Sequence, residues 1–333
     1  MGGKGKKQDL KQQAYSRLTK QIAFGESKKE AKAAGTDGDK IFSINTYKTY
    51  RRECRAFAAY VMQEHPNCTS LNKAKKYASD WIQLRIDQGC SAWTVQTEVM
   101  ALQKMYGEKV AQDVDVPERR RENITRSRVE RVRDGHFSKS NNDELIRFCK
   151  GTGLRRSELE KLVGRDLIHR DRIEKEISRL ESMAERTPRD EKRLVFLKDT
   201  RLFKEDYFLY VKGKGGRERL SPIIGKDAPQ IIERIQNTPE KERVWQYVHS
   251  CADVHSYRAD YATAIYKAAA RPIDQIPFDR VNQGSGKAYQ SEVYNCRGDE
   301  KGKRLDKAAM LTCSKALGHN RVCVVADHYL RGL

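Results

Sequence analysis

The clearest pattern in the chain is the helical spacing of apolar residues over 41–113. The first stretch places five side chains on one helical face: Tyr47, Tyr50, Cys54, Phe57 and Val61. A second stretch opens at Ser70 and ends at Gly89, and a third opens at Ser91 and ends at Gly107. Because serine is favoured before a helix and glycine after it, the pattern predicts a compact all-helical domain.

Two polar, basic segments flank this predicted domain. Residues 1–40 carry apolar side chains four positions apart: Leu10, Ala14, Leu18 and Ile22. That spacing predicts one amphipathic helix within a basic N-terminal extension. Residues 114–135 contain Pro117 and seven arginines but little apolar periodicity, so we interpret them as a basic linker. A surface helix is the alternative, although its arginines would then have too few acidic partners.

Residues 136–333 show a mixed pattern of helices and short strands. The clearest strands are 207–212 and 217–223. A glycine-rich segment joins them: Gly213, Lys214, Gly215 and Gly216. Because glycine adopts positive φ without steric cost, this composition predicts a tight antiparallel hairpin.

Helical patterns lie on the N-terminal side of this hairpin. Gly151 and Gly153 are expected to break one helix, and Pro188 is expected to end another that runs over 171–187. The helix at 171–187 has one apolar face: Ile173, Ile177 and Leu180. We expect this face to pack on its own domain, and the alternative is contact with a neighbouring subunit or with DNA.

The length and net charge of the chain limit the classes of function that it can have. The 333 residues allow two domains, each able to bury a core. The net charge is +20, and residues 1–135 hold +10 of it, so both parts of the chain are basic. Positive charge on both parts favours a long polyanion, because each neutralised phosphate releases counterions. Nucleic acid is therefore the expected partner, against the alternative of a basic protein that is merely soluble.

Other classes of protein fit the sequence less well. No apolar stretch approaches the roughly 20 residues of a membrane span, and the first ten residues lack a signal-peptide apolar region. No two of the eight cysteines form a CxxC pair, so we expect neither a disulfide framework nor a zinc site. A cytoplasmic, nucleoid-associated protein is expected.

Five short motifs follow one another in the second part of the chain. They are TGLRRSEL at 152–159, VKGKGGRERLSPI at 211–223, HSYR at 255–258, ALGHN at 316–320 and the late Tyr329. In this order they resemble the catalytic motifs of the tyrosine recombinases, also called phage-integrase-type site-specific recombinases. The resemblance covers 139–333, and the helical domain resembles the family's core-binding domain more loosely.

The resemblance implies a fold and a domain order. It implies a multi-domain protein with a basic helical extension at 1–40, an all-α, SAM-like core-binding domain at 41–113, and a basic linker at 114–135. A mainly helical α+β catalytic domain with a small antiparallel sheet would follow at 136–333. Linker arginines would contact DNA phosphates, which position a protein without reading sequence: Arg119, Arg120, Arg121, Arg126 and Arg128.

The resemblance also implies six catalytic residues: Arg155, Lys214, His255, Arg258, His319 and Tyr329. Two guanidinium forks, Arg155 and Arg258, would offset the charge that develops on a phosphate under attack. Arg156 could replace Arg155 on charge grounds, but neighbouring helical side chains point about 100° apart, so only one can face the phosphate. We choose Arg155 because it follows TGL. Tyr329 would be the nucleophile.

Proton transfer and orientation would fall to the other residues. Lys214 would be the general acid for the leaving 5′-oxygen, with Lys212 as the alternative. The resemblance implies that His255 is the base or proton acceptor and that His319 hydrogen-bonds the phosphate. Glu158 is expected to orient the site. No cofactor is implied.

The implied activity is site-specific DNA recombination or integration through a 3′-phosphotyrosine intermediate and a Holliday junction, for a mobile element of a prokaryotic or phage host. The implied partners are a double-stranded DNA target site, three further copies in a homotetramer, and an accessory DNA-bending or directionality factor. Two alternatives stay open: a type IB topoisomerase-like enzyme, and a non-catalytic sequence-specific DNA-binding regulator. An RNA-binding protein is disfavoured because no RNP-type aromatic pattern occurs.

Overall fold

The structure is a computed structural model. It describes residues 8–120, 137–213, 216–276, 292–297, 300–319, 321–330 and 333, together with the backbone of 281–282 and 289–290. The chain divides into two compact units, 1–123 and 124–333. Within the described residues the chain is mainly helical with small antiparallel sheets, as the coarse fold class predicted.

Six α-helices make up the described part of the first unit: α1 Leu10–Thr19, α2 Lys28–Ala33, α3 Ile44–Glu64, α4 Leu71–Ala74, α5 Ala78–Asp87 and α6 Ala92–Tyr106. The predicted serine caps are confirmed, since Ser70 precedes α4 and the Ser91 side chain accepts from the backbone N–H of Thr94 at the start of α6. Gly107 ends α6 at φ +74°. The pattern over 70–89 is split, because a 3₁₀ turn at Lys75–Tyr77 separates α4 from α5.

One hydrophobic core joins these helices. Leu10, Ala14 and Leu18 of α1 are buried together with Phe57 of α3 and Leu102 of α6. The helix predicted within residues 1–40 is confirmed. It packs into the same core as α3 to α6 and is part of the first unit.

The described part of the second unit contains eight α-helices and seven short strands. The helices are α7 Asp143–Thr152, α8 Arg156–Leu159, α9 Arg170–Glu181, α10 Pro188–Lys198, α11 Ala228–Gln236, α12 Val254–Ala269, α13 Lys307–Leu317 and α14 Cys323–His328. The strands are β1 Leu167–His169, β2 Tyr207–Lys212, β3 Glu218–Pro222, β4 Val281–Asn282, β5 Tyr289–Gln290, β6 Val293–Asn295 and β7 Arg304–Asp306.

The predicted hairpin is confirmed: β2 and β3 belong to a three-stranded antiparallel sheet in the order β1-β2-β3, with β2 at the centre. Tyr210 pairs with Leu220, and Lys212 pairs with Glu218 at the turn end. The other strands form two antiparallel pairs, β4 with β5 and β6 with β7.

Two details of the helix prediction are wrong. Gly151 lies inside α7, where a Cβ would overlap the Ile231 side chain of α11, and only Gly153 ends the helix, at φ +61°. Pro188 opens α10 and does not end α9, which stops at Glu181. Proline suits a first helical position because the N–H that it lacks would have no helical partner there.

The apolar face of α9 packs within its own unit, which was the first of the two interpretations. Ile173, Ile177 and Leu180 are buried in one cluster with Leu194 and Leu197 of α10. Because the chain itself covers these residues, the alternative that this face contacts another subunit or DNA is wrong. No helix among the described residues has the length and apolar character needed to cross a membrane.

Candidate active site

Five of the six predicted catalytic residues lie in the described part of the second unit. The sixth, Lys214, lies outside the described residues. Four helices carry or flank them: Arg155 precedes α8, His255 and Arg258 lie on α12, and Tyr329 follows α14. His319 comes after α13 and Gly318, the left-handed residue that ends this helix.

Arg258, His255 and His319 lie around the side chain of Tyr329. Arg258 Nε donates to its Oη at 3.4 Å. The His255 and His319 rings have their centroids 5.4 and 5.3 Å from the Tyr329 ring centroid. Tyr329 is only 5% exposed. A tyrosine side chain is therefore held beside two imidazole rings, with its hydroxyl bonded to a guanidinium.

Arg258 is a buried cation, 1% exposed. Nη2 donates to the Leu317 carbonyl at 2.6 Å, and Nη1 donates to the Gly153 carbonyl. Burial, and next the positive charge of Arg219, lower the pKa of Arg258 to about 10. The guanidinium stays protonated at neutral pH, so the site holds a desolvated positive charge next to the Tyr329 hydroxyl.

Arg155 and Arg156 make different contacts, but the argument from neighbouring helical positions does not apply to them, because Arg155 precedes α8 in an extended conformation. The Arg156 guanidinium donates to four backbone carbonyls and ties α8 to the segment before α12: Val248, His249, Ser250 and Ala252. Arg155 is 32% exposed and bonds Glu158 Oε1 through Nη1 at 2.7 Å. Its other guanidinium donors make no hydrogen bond within the described residues, so Arg155 keeps donors for an anion.

Arg219 is a site residue that the sequence reasoning missed. It is 4% exposed and pairs with Glu158 through two bonds, Nη1 to Oε1 at 3.0 Å and Nη2 to Oε2 at 2.7 Å. The signal that could have revealed it is an arginine within β3, whose residues 219–222 are all buried. A buried strand arginine requires a carboxylate, and Glu158 is the acidic residue of the TGLRRSEL motif.

The cluster carries more positive than negative charge. Burial opposes ionisation of Glu158, but hydrogen bonds from Arg219 and the charges of Arg219 and Arg258 outweigh it and lower the Glu158 pKa to about 2. One carboxylate therefore stands against three guanidiniums, those of Arg155, Arg219 and Arg258. Such an excess of buried positive charge favours an anionic ligand.

His319 has an open hydrogen-bonding position at the same place. Burial, followed by the charges of Arg258, Arg155 and Arg219, lowers the pKa of His319 to about 4. Its imidazole is therefore neutral at pH 7. Nε2 is buried and has no partner among the described residues. A buried polar atom without a partner is costly, so a ligand atom that bonds Nε2 would remove that cost.

Buried hydrogen bonds connect three elements near the site: β3, the end of α7 and α12. Ser221 Oγ of β3 donates to the Thr152 carbonyl at 3.0 Å, and the fully buried Tyr261 on α12 donates to the Pro222 carbonyl at 2.8 Å. A Cβ at Gly153 would overlap the Tyr261 ring. The glycine of the TGL motif thus lets the turn before Arg155 approach α12 closely.

The first unit carries a separate basic surface. Exposed cations follow helical spacing along α3: Lys48, Arg51, Arg52 and Arg55. The Arg51 guanidinium lies 4.9 Å from the ring centroid of Tyr15 on α1. Of the predicted linker contacts, Arg119 and Arg120 are exposed, whereas Arg121, Arg126 and Arg128 lie outside the described residues. The α3 stripe was not predicted from the sequence.

The described residues contain no group of three His, Cys, Asp or Glu side chains that could hold a metal ion. No protein-family model matches this chain. No curated protein matches it either.

Proposed function

We propose that this protein cleaves and rejoins DNA strands, with Tyr329 as the nucleophile. The observation that carries the proposal is the convergence of Arg258, His255 and His319 on the buried Tyr329 side chain. An excess of buried guanidinium charge surrounds this side chain. A phosphodiester supplies both the negative charge and the electrophilic phosphorus that such a site lacks.

The proposed step is a transesterification. The Tyr329 oxygen forms a bond to phosphorus while the bond from phosphorus to the 5′-oxygen breaks, which leaves a 3′-phosphotyrosine and a free 5′-hydroxyl. The phenolic proton passes to His255, and a proton from Lys214 reaches the departing 5′-oxygen. Attack by another strand's 5′-hydroxyl reverses these transfers. The number of phosphodiester bonds is unchanged, so no nucleotide is consumed.

The arginines and His319 act on the phosphate rather than on the nucleophile's proton. Charge develops on the non-bridging oxygens as the nucleophile attacks, and the partly exposed Arg155 has donors with no hydrogen bond among the described residues that could bind one of these oxygens. Arg258 is already buried, so its charge acts at low effective dielectric. Neutral His319 adds a hydrogen bond from Nε2, provided that its proton resides on that nitrogen.

The first unit would bind duplex DNA, which is the role of the core-binding domain. We propose that its α3 stripe makes phosphate contacts, since Lys48, Arg51 and Arg55 lie three and four residues apart on one exposed face. The proposal also includes a SAM-like arrangement of this unit. It further includes phosphate contacts by the linker arginines. The contacts would position the duplex and carry little sequence information.

If the protein is a recombinase, four protomers would exchange DNA strands in two steps through a Holliday junction. Integration or excision of a mobile element is the biological role that fits this chemistry. An accessory DNA-bending or directionality factor would complete the assembly.

The test is covalent trapping. Duplexes with a randomised core carry a 5′-bridging phosphorothiolate on one strand, because the thiolate leaves without a proton and reseals poorly. We expect wild type to form an SDS-resistant adduct and Tyr329→Phe to form none while still binding DNA. Binding without an adduct in wild type would contradict the proposal and favour a DNA-binding regulator.

A type IB topoisomerase-like activity is the second candidate. The observation in its favour is that Tyr329, both histidines and both arginines belong to one chain, so one protomer holds the described catalytic groups. A topoisomerase would relax supercoiled plasmids of unrelated sequence at protein concentrations too low for assembly. A recombinase would do so only with a selected core sequence.

A further inference from the structure

The buried ion pair between Arg219 and Glu158 lies beneath the proposed catalytic groups. Glu158 accepts four hydrogen bonds: two from the Arg219 guanidinium, one from the Arg155 guanidinium and one from the Arg155 backbone N–H. Its lone pairs are fully used. Arg155 is thus held at both its backbone and its side chain by a carboxylate that Arg219 fixes from the other side.

Two glycines pack against the same ion pair. A Cβ at Gly213 would lie 2.9 Å from Glu158 Oε1, and a Cβ at Gly318 would lie 2.9 Å from Arg219 Cδ. Each glycine directly precedes a proposed catalytic residue, Lys214 after Gly213 and His319 after Gly318. Gly213 and Gly318 therefore approach the ion pair more closely than a residue with a Cβ could without displacing one of these side chains.

We propose that Arg219 is a positioning residue that sets the geometry of Arg155 and His319 through one buried ion pair with Glu158. This inference rests on the proposed function. Arg219 need not touch the phosphate. It holds Glu158, which orients the Arg155 fork, and its alkyl chain supports the turn at Gly318.

Stability alone does not account for this arrangement. A buried ion pair can be replaced by apolar residues of similar volume with little loss of stability, whereas removal of one partner leaves an uncompensated charge. A purely structural pair could thus be exchanged as a unit. A positioning pair could not, because an apolar replacement would leave Arg155 without its anchor.

Four variants separate these two roles. Arg219→Met breaks the pair, and the double variant Arg219→Met with Glu158→Met replaces both partners. Arg219→Lys keeps the charge but loses one of the two bonds to Glu158. Arg271→Met is the matched control, since it breaks another ion pair to a buried carboxylate of the same unit, that of Asp306.

Each variant is measured in three ways: the thermal midpoint, the DNA dissociation constant, and the rate of adduct formation at saturating duplex selected by wild type. Arg219→Met should form adduct about 100-fold more slowly, because misplacement of reacting groups by about 1 Å has that effect. The double variant should recover the thermal midpoint but not the rate. Arg219→Lys should be intermediate, and Arg271→Met should keep the wild-type rate.

Two results would overturn the inference: a wild-type rate in Arg219→Met, or joint recovery of rate and thermal midpoint in the double variant. Failure of the proposed function looks different, because wild type itself would then form no adduct with any duplex.

Discussion

At the scale of single residues, the burial of charged side chains determines the protonation states of the site. Arg258 is desolvated and held by backbone carbonyls, and Glu158 is ionised only because arginines surround it. His319 is neutral because burial, and next the charges of nearby arginines, lower its pKa. These protonation states favour the binding of an anion, since a phosphate would offset the excess positive charge of the cluster.

The state of His319 gives a pH-dependent prediction. Its pKa is about 4 in the folded protein, against 6.5 for an ordinary histidine. As pH falls from 6.5 to 4, the unfolded chain gains a proton at this residue and the folded protein does not, so the free energy of unfolding falls. It should fall less steeply in His319→Gln, which chemical denaturation at each pH measures.

Nuclear magnetic resonance of the imidazole nitrogens provides the direct check. The His319 resonances should titrate near pH 4 in the free protein and at higher pH when duplex DNA is bound, because phosphate charge favours the imidazolium. A midpoint near 6.5 in the free protein would contradict this account of the site.

At the scale of elements, the site depends on turns that pass close to one another. Gly153 ends α7 in the left-handed region and leaves room for the Tyr261 ring, while Ser221 of β3 bonds the end of α7. The turn before Arg155, the hairpin and α12 are thereby fixed against one another. The catalytic residues come from distant parts of the sequence, but their backbones are tied at this centre.

Gly153→Ala tests this packing. The substitution should lower the free energy of unfolding by at least about 2 kcal/mol, because it adds backbone strain at φ +61° to an overlap with Tyr261. Gly225→Ala is the matched control, since Gly225 has φ +87° and nothing within 4 Å of a Cβ. It should lose only about 1 kcal/mol, from strain alone. Equal losses in urea denaturation would show that the Tyr261 contact has no energetic role.

The sequence predicted much of the element structure because the local signals were strong. The hairpin strand Tyr207–Lys212 was predicted at its observed bounds, and the apolar face of α9 was identified before its partners were known. Pro188 was misinterpreted because proline can follow one helix or open the next, and only the Thr187 cap decides between them. Arg219 was missed because its significance lies in a contact with Glu158, 61 residues away.

At the scale of the whole molecule, both units are basic, and only part of that charge is balanced by local ion pairs. On or beside α9 and α10, four cations form ion pairs with nearby carboxylates: Arg179 with Glu176, Arg186 with Glu191, Lys198 with Glu181 and Arg201 with Glu174. On α3 the pair between Arg52 and Glu53 is the one ion pair found for the stripe within the described residues. The stripe is therefore better suited to phosphate contacts than these four paired cations are.

Charge removal on α3 tests this assignment. The triple variant Lys48→Gln, Arg51→Gln and Arg55→Gln should weaken DNA binding and reduce the slope of log affinity against log salt by about 3, one for each phosphate contact. The control removes three paired cations, with Gln at Arg179, Arg186 and Arg201. If the two triple variants changed the salt slope equally, α3 would have no specific role in DNA binding.

The most direct measurement of the central claim is the identity of the residue joined to DNA. The trapped adduct is digested with nuclease and trypsin, and the nucleotide-bearing peptide is sequenced by mass spectrometry. The account predicts a nucleotide esterified through its 3′-phosphate to the Tyr329 oxygen, with a free 5′-thiol on the released strand. A nucleotide on another residue, or a linkage through a 5′-phosphate, would contradict the account.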